Sequence, residues 1–370
     1  MKVKKVYILG PVSPYRGGIA QYTENLYNAL SKSADTKVVS FSRQYPKMLY
    51  PGGTDKAKGA THLKDVAYEL DSNNPFTWMS VYKKIVAAKP DLVVINWWSI
   101  YWQPAFSLIT RGLRRHNITV AYVCHSVYDH DAKPWRKKIA RLLLKRGPSF
   151  YVVHSIQEAE KLKEFTNSKI VVKQIPVYDQ FPKPSKSLSV DKNKNRPMKL
   201  LFIGLIRPYK GLDVLLDAYE KMSFKEKKMI SLTVVGEVWN DKEKLESRLD
   251  SLSVKHDLRF VSDQDMVDYI NQSDLVVLPY LSATGSAVIP ASYYCGRPVL
   301  ATRTGGLAEV VEDGKTGWLV EPNNSDELKA KIISLSIDDC LGTNIYIKKW
   351  VKDNSWEEMA KTIIDASSNL

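Results

Sequence analysis

Arg207 and Lys210 stand three residues apart in the run Phe202-Ile203-Gly204-Leu205-Ile206-Arg207-Pro208-Tyr209-Lys210-Gly211, just after an apolar stretch ends in glycine. A guanidinium offers a planar fork and an ammonium a point charge, so the pair can clamp a diphosphate. Two solvated loop cations are the plainer reading. A second run, Ser282-Ala283-Thr284-Gly285-Ser286-Ala287-Val288, strings small residues ahead of a helical pattern. Backbone N–H groups exposed there can face an anion. A third, Gly10-Pro11 followed by Arg16-Gly17-Gly18-Ile19, leaves the first apolar run of the chain. Its glycines let a backbone approach a ligand, or simply make a turn. The GxGxxG spacing of a dinucleotide site is absent, which argues against an oxidoreductase. His125 directly follows the apolar run 120–124, at the position where open α/β sheets hold their ligands; His130, Asp131 and His154 are further candidates. No loop in these places carries paired carboxylates or clustered histidines at ligand spacing, so no metal site is expected.

Loops of this kind need strands behind them. In the first half, residues 6–9, 38–41, 92–96, 120–124, 150–154 and 170–174 are short and almost continuously apolar, as strands buried on both faces should be. Helical patterns at 20–32 and 131–145 lie between them. Residues 180–197, rich in Pro, Lys, Ser and Asn, read as an interdomain linker. Alternation restarts with strand candidates 199–203, 232–235, 258–261, 275–278, 298–301 and 318–320, and helices at 211–222, 242–253 and 266–271. The pattern predicts an α/β protein of two Rossmann-like, doubly wound domains facing a central cleft. The helical stretch 356–367 either continues the second domain or crosses back to the first.

The length of 370 residues suits two such cores, and 44% hydrophobic with 25% charged residues is a globular balance. The three cysteines, Cys124, Cys295 and Cys340, lie far apart with no CxxC, which points to a reducing compartment. The apolar run 6–9 is too short for a signal peptide core. The stretch 92–110 is broken by Asn96, Gln103 and Pro104, so no membrane span is expected. Trp97, Trp98, Tyr101 and Trp102 within it can stack on sugars, touch lipid or pack inside. Residues 1–190 hold 30 lysines and arginines against 13 acids, an excess of 17, while residues 191–370 hold 24 against 27. A phosphate-bearing acceptor, an anionic membrane or nucleic acid would suit such a surface. The cluster Lys133, Arg136, Lys137, Lys138, Arg141, Lys145, Arg146 with Trp135 and Leu142 reads either as a membrane-surface helix or as a docked helix with a basic rim.

Taken in order, residues 199–328 resemble the second domain of the family-four glycosyltransferases, which have the GT-B fold. The resemblance rests on F-x-G-x-x-R-x-x-K-G at 202–211, DLVVLPY at 274–280 and CGRPVLAT followed by GGL-x-E-V-V-x-D-G-x-x-G-W-L-V at 295–320. In the first half, Arg16-Gly17-Gly18-Ile19-Ala20 and His125-Ser126 resemble that family's glycine loop and cleft histidine. The likeness implies transfer of a hexose-type sugar from a UDP- or GDP-sugar to a saccharide or lipid-linked saccharide, with retention of configuration and without cofactor or metal. Residues 1–185 would then be the acceptor-side domain, with 350–370 as its possible completion, and 198–349 the nucleotide-sugar domain. It assigns Arg207 and Lys210 to the diphosphate and His125 to a sugar hydroxyl. Gly17, Gly18, Gly204, Thr284, Gly285, Ser286, Ala287 and Val288 would line the donor, and Phe260, Val261 and Ser262 would border its base. A cytoplasmic enzyme, peripheral at the inner membrane face and without a nucleic-acid partner, is the expectation.

One departure stands out. The family often has two glutamates eight positions apart, and here those positions hold Ala283 and Ala291. A nucleotide-sugar epimerase or hydrolase of the same fold, which would need carboxylates, is the first alternative. A sugar-nucleotide-binding subunit without catalysis is the second, and it leaves the presence of Arg207, Lys210 and both glycine loops without a purpose.

Overall fold

The computed structural model describes residues 3–45, 55–57, 59–128, 134–145, 147–177, 181–183, 196–238, 241–283 and 285–369. The chain forms two compact units, one of Met1–Gln174 with Trp356–Leu370, the other of Ile175–Ser355. The expected linker falls largely outside the described residues, which include only 181–183, 196 and 197 of it.

The first unit contains β1 (Lys5–Leu9), α1 (Gly18–Ser31), β2 (Asp35–Arg43), β3 (Val66–Asp71), α2 (Pro75–Ala88), β4 (Leu92–Trp97), α3 (Gln103–Arg115), β5 (Thr119–Cys124), α4 (Pro134–Lys145), β6 (Phe150–Val153), α5 (Ile156–Lys163) and β7 (Lys169–Val172). Its sheet runs β3-β2-β1-β4-β5-β6-β7, with every pair parallel. Every residue of β4 is buried, because helices cover both faces of a central parallel strand. The order reverses between β1 and β4, whose ends register Leu9 against Ile95. That reversal opens the crevice where such sheets take ligands.

The second unit contains β8 (Met198–Ile203), α6 (Leu212–Glu220), α7 (Phe224–Lys228), β9 (Ile230–Val235), α8 (Lys242–Ser251), β10 (Lys255–Asp257), α9 (Asp263–Gln272), β11 (Leu275–Leu278), α10 (Val288–Tyr294), β12 (Val299–Thr302), α11 (Gly305–Val310), β13 (Gly317–Val320), α12 (Ser325–Ser334), α13 (Ile337–Gly342) and α14 (Asn344–Asp353). Its parallel sheet runs β10-β9-β8-β11-β12-β13, with the reversal between β8 and β11. The final helix, α15 (Trp356–Ser368), belongs to the first unit: Trp356, Met359 and Ile363 are buried there and the helix packs along α1.

Two edge strands depart from the sequence expectation. β3 alternates in character (VAYELD) and is only half-buried, so it gives no continuous apolar run. The strand expected at 258–261 lies instead at Lys255–Asp257, whose sequence KHD is polar because an edge strand has a single neighbour, here β9. Among the described residues, no helix is long and apolar enough to cross a membrane.

Candidate functional site

In the first unit, the loop after β1 carries the glycines. Gly17 adopts φ +111°, in a region side chains rarely enter, and stands at the start of α1, where no side chain caps the exposed N–H groups. Gly18 is exposed, with open space where a Cβ would point. Gly10 has a different role. A Cβ there would come within 2.8 Å of both Asn96 Nδ2 and Thr23 Oγ1, so this glycine makes room for a buried hydrogen bond.

His125 leaves the end of β5, its backbone N–H donating to Trp97 O at 2.9 Å. Its ring is packed edge-on against Tyr22, with centroids 4.5 Å apart and planes at 89°, and lies 5.2 Å from the ring of His154. Nε2 is 3.4 Å from Asn96 Oδ1. Burial, then the neighbouring His154, hold the His125 imidazolium well below its ordinary pKa. His154 is buried at the end of β6; burial takes its pKa down to about 4, partly opposed by its bond to the Lys173 carbonyl at 2.9 Å. The loop after His125 is pinned by Trp97 Nε1, which donates to Ser126 O at 3.0 Å, and by the buried Glu158, which accepts from Val127 N at 2.6 Å. Trp97 and Trp102 are core side chains, 1% exposed, while Trp98 and Tyr101 pack partly buried against that core. His130 and Asp131 lie outside the described residues, as do Lys133 and Arg146 of the basic cluster. On α4, Lys138, Arg141, Lys145, Ile139 and Leu142 face outward while Ala140 and Leu144 are buried.

In the second unit, β8 ends in Gly204 at φ +125°, and Arg207 heads a short 3-10 turn, Pro208–Lys210. Gly211 follows at φ +65°, and a Cβ on it would come within 1.9 Å of Pro279 O. Leu281 N donates to Tyr209 O at 2.7 Å, so the loops after β8 and β11 are fastened together at the topological reversal. The Lys210 ammonium stands 4.9 Å over the Tyr280 ring and would lie 3.4 Å from a Cβ placed on Gly204. Tyr280 OH bonds Ser286 Oγ at 3.3 Å, and the same oxygen accepts from Val288 N at 3.3 Å. The structure therefore brings Gly204, Lys210, Ser286 and Val288 into one neighbourhood, with Arg207 in the same loop. Gly285 and Ala287 are exposed beside them, and Thr284 lies outside the described residues. Ala291 is fully buried in α10 and Ala283 is 8% exposed, so both positions offer only methyl groups.

Phe260 is 70% exposed in the loop that follows β10. Val261 precedes Ser262, whose hydroxyl caps α9 by accepting from Asp265 N at 3.1 Å while the Asp265 carboxylate accepts from Ser262 N. Sequence reasoning gave no site role to Asn96, Thr23, Tyr280 or Gly236. Asn96 had a signal: an amide inside an otherwise apolar central strand must have a partner.

Two family profiles match this arrangement, Glycosyltransferase Family 4 over residues 16–176 and Glycosyl transferases group 1 over residues 185–349. The chain belongs to the family-four glycosyltransferases, and its fold is GT-B. An uncharacterized glycosyltransferase of Methanocaldococcus jannaschii, MJ1178, is 32% identical over 168 residues, 43% of this chain and 44% of its own length. The match thus spans less than half of that relative. Another from the same organism, MJ1069, is 28% identical over 97% of both chains. Among solved structures, HepE of Anabaena in complex with UDP-glucose superposes with a TM-score of 0.66 at 19% identity, covering 99% of this chain and 100% of that one.

Proposed function

We propose that the chain transfers a hexose-type sugar from a UDP- or GDP-sugar to a saccharide or lipid-linked saccharide, with retention of configuration and without a metal ion. The observation that carries this reading is the placement of Lys210 in the turn that follows β8, its ammonium beside Gly204, with Arg207 in the same loop. Two fixed cations there would neutralise the diphosphate as the glycosidic bond to it breaks, which stabilises charge that develops in the transition state. No proton need be delivered to such a leaving group. The complex of HepE with UDP-glucose supports a nucleotide sugar as the donor. With alanines at 283 and 291, hydroxyls near the small-residue loop, Ser286 among them, are the candidates to meet the donor's ribose. The outward basic and apolar side chains of α4 support an acceptor at an anionic lipid surface.

The test is incubation with UDP- and GDP-sugars, first alone and then with candidate acceptors, measuring nucleotide release and sugar transfer. Acceptor-dependent transfer is the expected result. Release that acceptors never stimulate would favour a hydrolase or epimerase, and binding without release a non-catalytic subunit. A shift in melting temperature with UDP, GDP or ADP would name the base.

A further inference from the structure

We propose that a one-way chain of hydrogen bonds, from His125 through Asn96 and Thr23 to the carbonyl of Ile19, fixes His125 as its Nε2–H tautomer and so presents Nδ1 as an acceptor for a hydroxyl of the bound sugar.

The direction of the chain follows from its far end. A backbone carbonyl can only accept, so Thr23 Oγ1, 2.8 Å from Ile19 O, spends its single proton there. The same oxygen then meets Asn96 at 2.8 Å as an acceptor, which requires the amide Nδ2 of Asn96 to face it. The carbonyl Oδ1 of Asn96 is thereby turned toward His125 Nε2, 3.4 Å away, and that nitrogen must carry the hydrogen. An amide's two ends are otherwise interchangeable; here the helix carbonyl decides between them. Thr23 and Asn96 are both buried with no exposure, which keeps water from competing for either end.

Three further observations agree. Gly10 is the residue at β1's end because a Cβ would intrude on the Thr23–Asn96 bond from 2.8 Å. Tyr22, edge-on to the His125 ring, and His154 beside it restrict rotation that would exchange the two nitrogens. His154 is held the opposite way: its Nδ1 donates to the Lys173 carbonyl, so its Nε2 is bare and makes no hydrogen bond among the described residues. Burial keeps both rings neutral, which leaves each with one donor and one acceptor. Nδ1 of His125 makes no hydrogen bond to a described residue, and the side chain is only half-buried. A neutral acceptor in that position selects a group with a proton to donate, as a sugar hydroxyl has, and offers nothing to a carbonyl oxygen or an anion. Asn96 and Thr23 are thus positioning residues.

This inference rests on the sugar-transfer reading, and the experiment separates the two. In protein labelled with 15N-histidine at neutral pH, long-range 15N–1H correlations assign the tautomer of each ring without any substrate. The expected result is Nε2–H for His125 and Nδ1–H for His154. Asn96→Leu, and Thr23→Val as a second variant that leaves Asn96 in place, should each give a mixture of His125 tautomers. Turnover of the nucleotide sugar should fall about tenfold in Asn96→Leu, the size of one well-placed hydrogen bond, with nucleotide affinity unchanged. Thr23→Ser, which keeps the hydroxyl, should restore both readouts. A wild-type His125 found as Nδ1–H or as imidazolium overturns the proposal, as does a single Nε2–H tautomer surviving in both variants. Unchanged turnover alongside mixed tautomers overturns the positioning role. If the wild-type enzyme turns over no nucleotide sugar while the tautomers are as stated, the functional reading fails and the proposed role for Nδ1 falls with it, leaving only the ring's orientation.

Discussion

Gly236 touches Gly204 backbone to backbone: a Cβ placed on Gly236, which sits at φ +150°, would stand 1.8 Å from the carbonyl oxygen of Gly204. The two glycines end adjacent strands, β9 and β8, and the Gly204 N–H donates to Val235 O at 3.0 Å. Any side chain on Gly236 must push away the loop that carries Arg207 and Lys210. Gly236→Ala is therefore expected to cost at least about 2 kcal/mol of stability, from strained backbone and forced overpacking. It should also weaken nucleotide binding. Gly314→Ala is the control, since Gly314 also has a positive φ, +74°, but no neighbour within 4 Å. Urea unfolding and nucleotide titration of both variants would decide it. Equal behaviour of the two would mean that the contact does not matter.

Much of this was legible in the chain itself. Val38, Val94 and Val152 lie in apolar runs too continuous for anything but buried parallel strands, and glycines at strand ends located Arg207 and Lys210. The rest depended on neighbours distant in sequence. Gly10 looked like a ligand-facing glycine, but what it faces is a bond between Thr23 and Asn96, 73 residues apart. His256, in β10, sits in a polar edge that no search for apolar runs would find.

Arg207→Ala and Lys210→Ala should each lower turnover by roughly 10²–10³, the usual loss when a group that stabilises developing charge is removed. Both residues are half-buried loop side chains, so melting temperatures should change little. Lys210→Arg should not rescue, because the space over the Tyr280 ring and against Gly204 suits a compact ammonium rather than a planar fork. Wild-type rates in both alanine variants would remove the diphosphate clamp.

On the proposed reading, Arg207 and Lys210 would supply the positive charge that a catalytic metal brings, so EDTA should leave the rate of nucleotide release within about twofold. A rate that collapses on chelation and returns with magnesium or manganese would transfer the handling of the leaving group to a metal.

Binding to vesicles should depend on lipid charge. Exposed Lys138, Arg141 and Lys145 on α4 flank Ile139, 41% exposed, and Leu142, 69% exposed. Sedimentation with vesicles of anionic lipid should exceed that with neutral lipid, and the excess should fall as salt rises. Leu142→Ser with Lys138→Glu should abolish it. Equal partition onto both kinds of vesicle would count against a membrane role for this face.

Mild acid should destabilise the protein through its buried histidines. The His154 pKa is about 4, against an ordinary value of 6.5, and that of His125 is also lowered, in both cases chiefly by burial. Between those limits the unfolded chain binds protons that the folded chain refuses. Stability therefore rises with pH across the window and is lost as pH falls through it. For His154 alone the loss between pH 6.5 and 5 is about 1.5 kcal/mol. The depressed carboxyls, Asp274 beside Arg196 among them, lose their contribution only at lower pH, and the raised carboxyl of Glu24 acts in the opposite sense. His154→Asn keeps a donor toward the Lys173 carbonyl and removes the titrating ring. Urea midpoints measured from pH 7 to 5 should fall steeply for the wild type and less for this variant. Identical slopes for the two proteins would show that His154 is not held neutral by its surroundings, and that the ring accepts a proton where it lies.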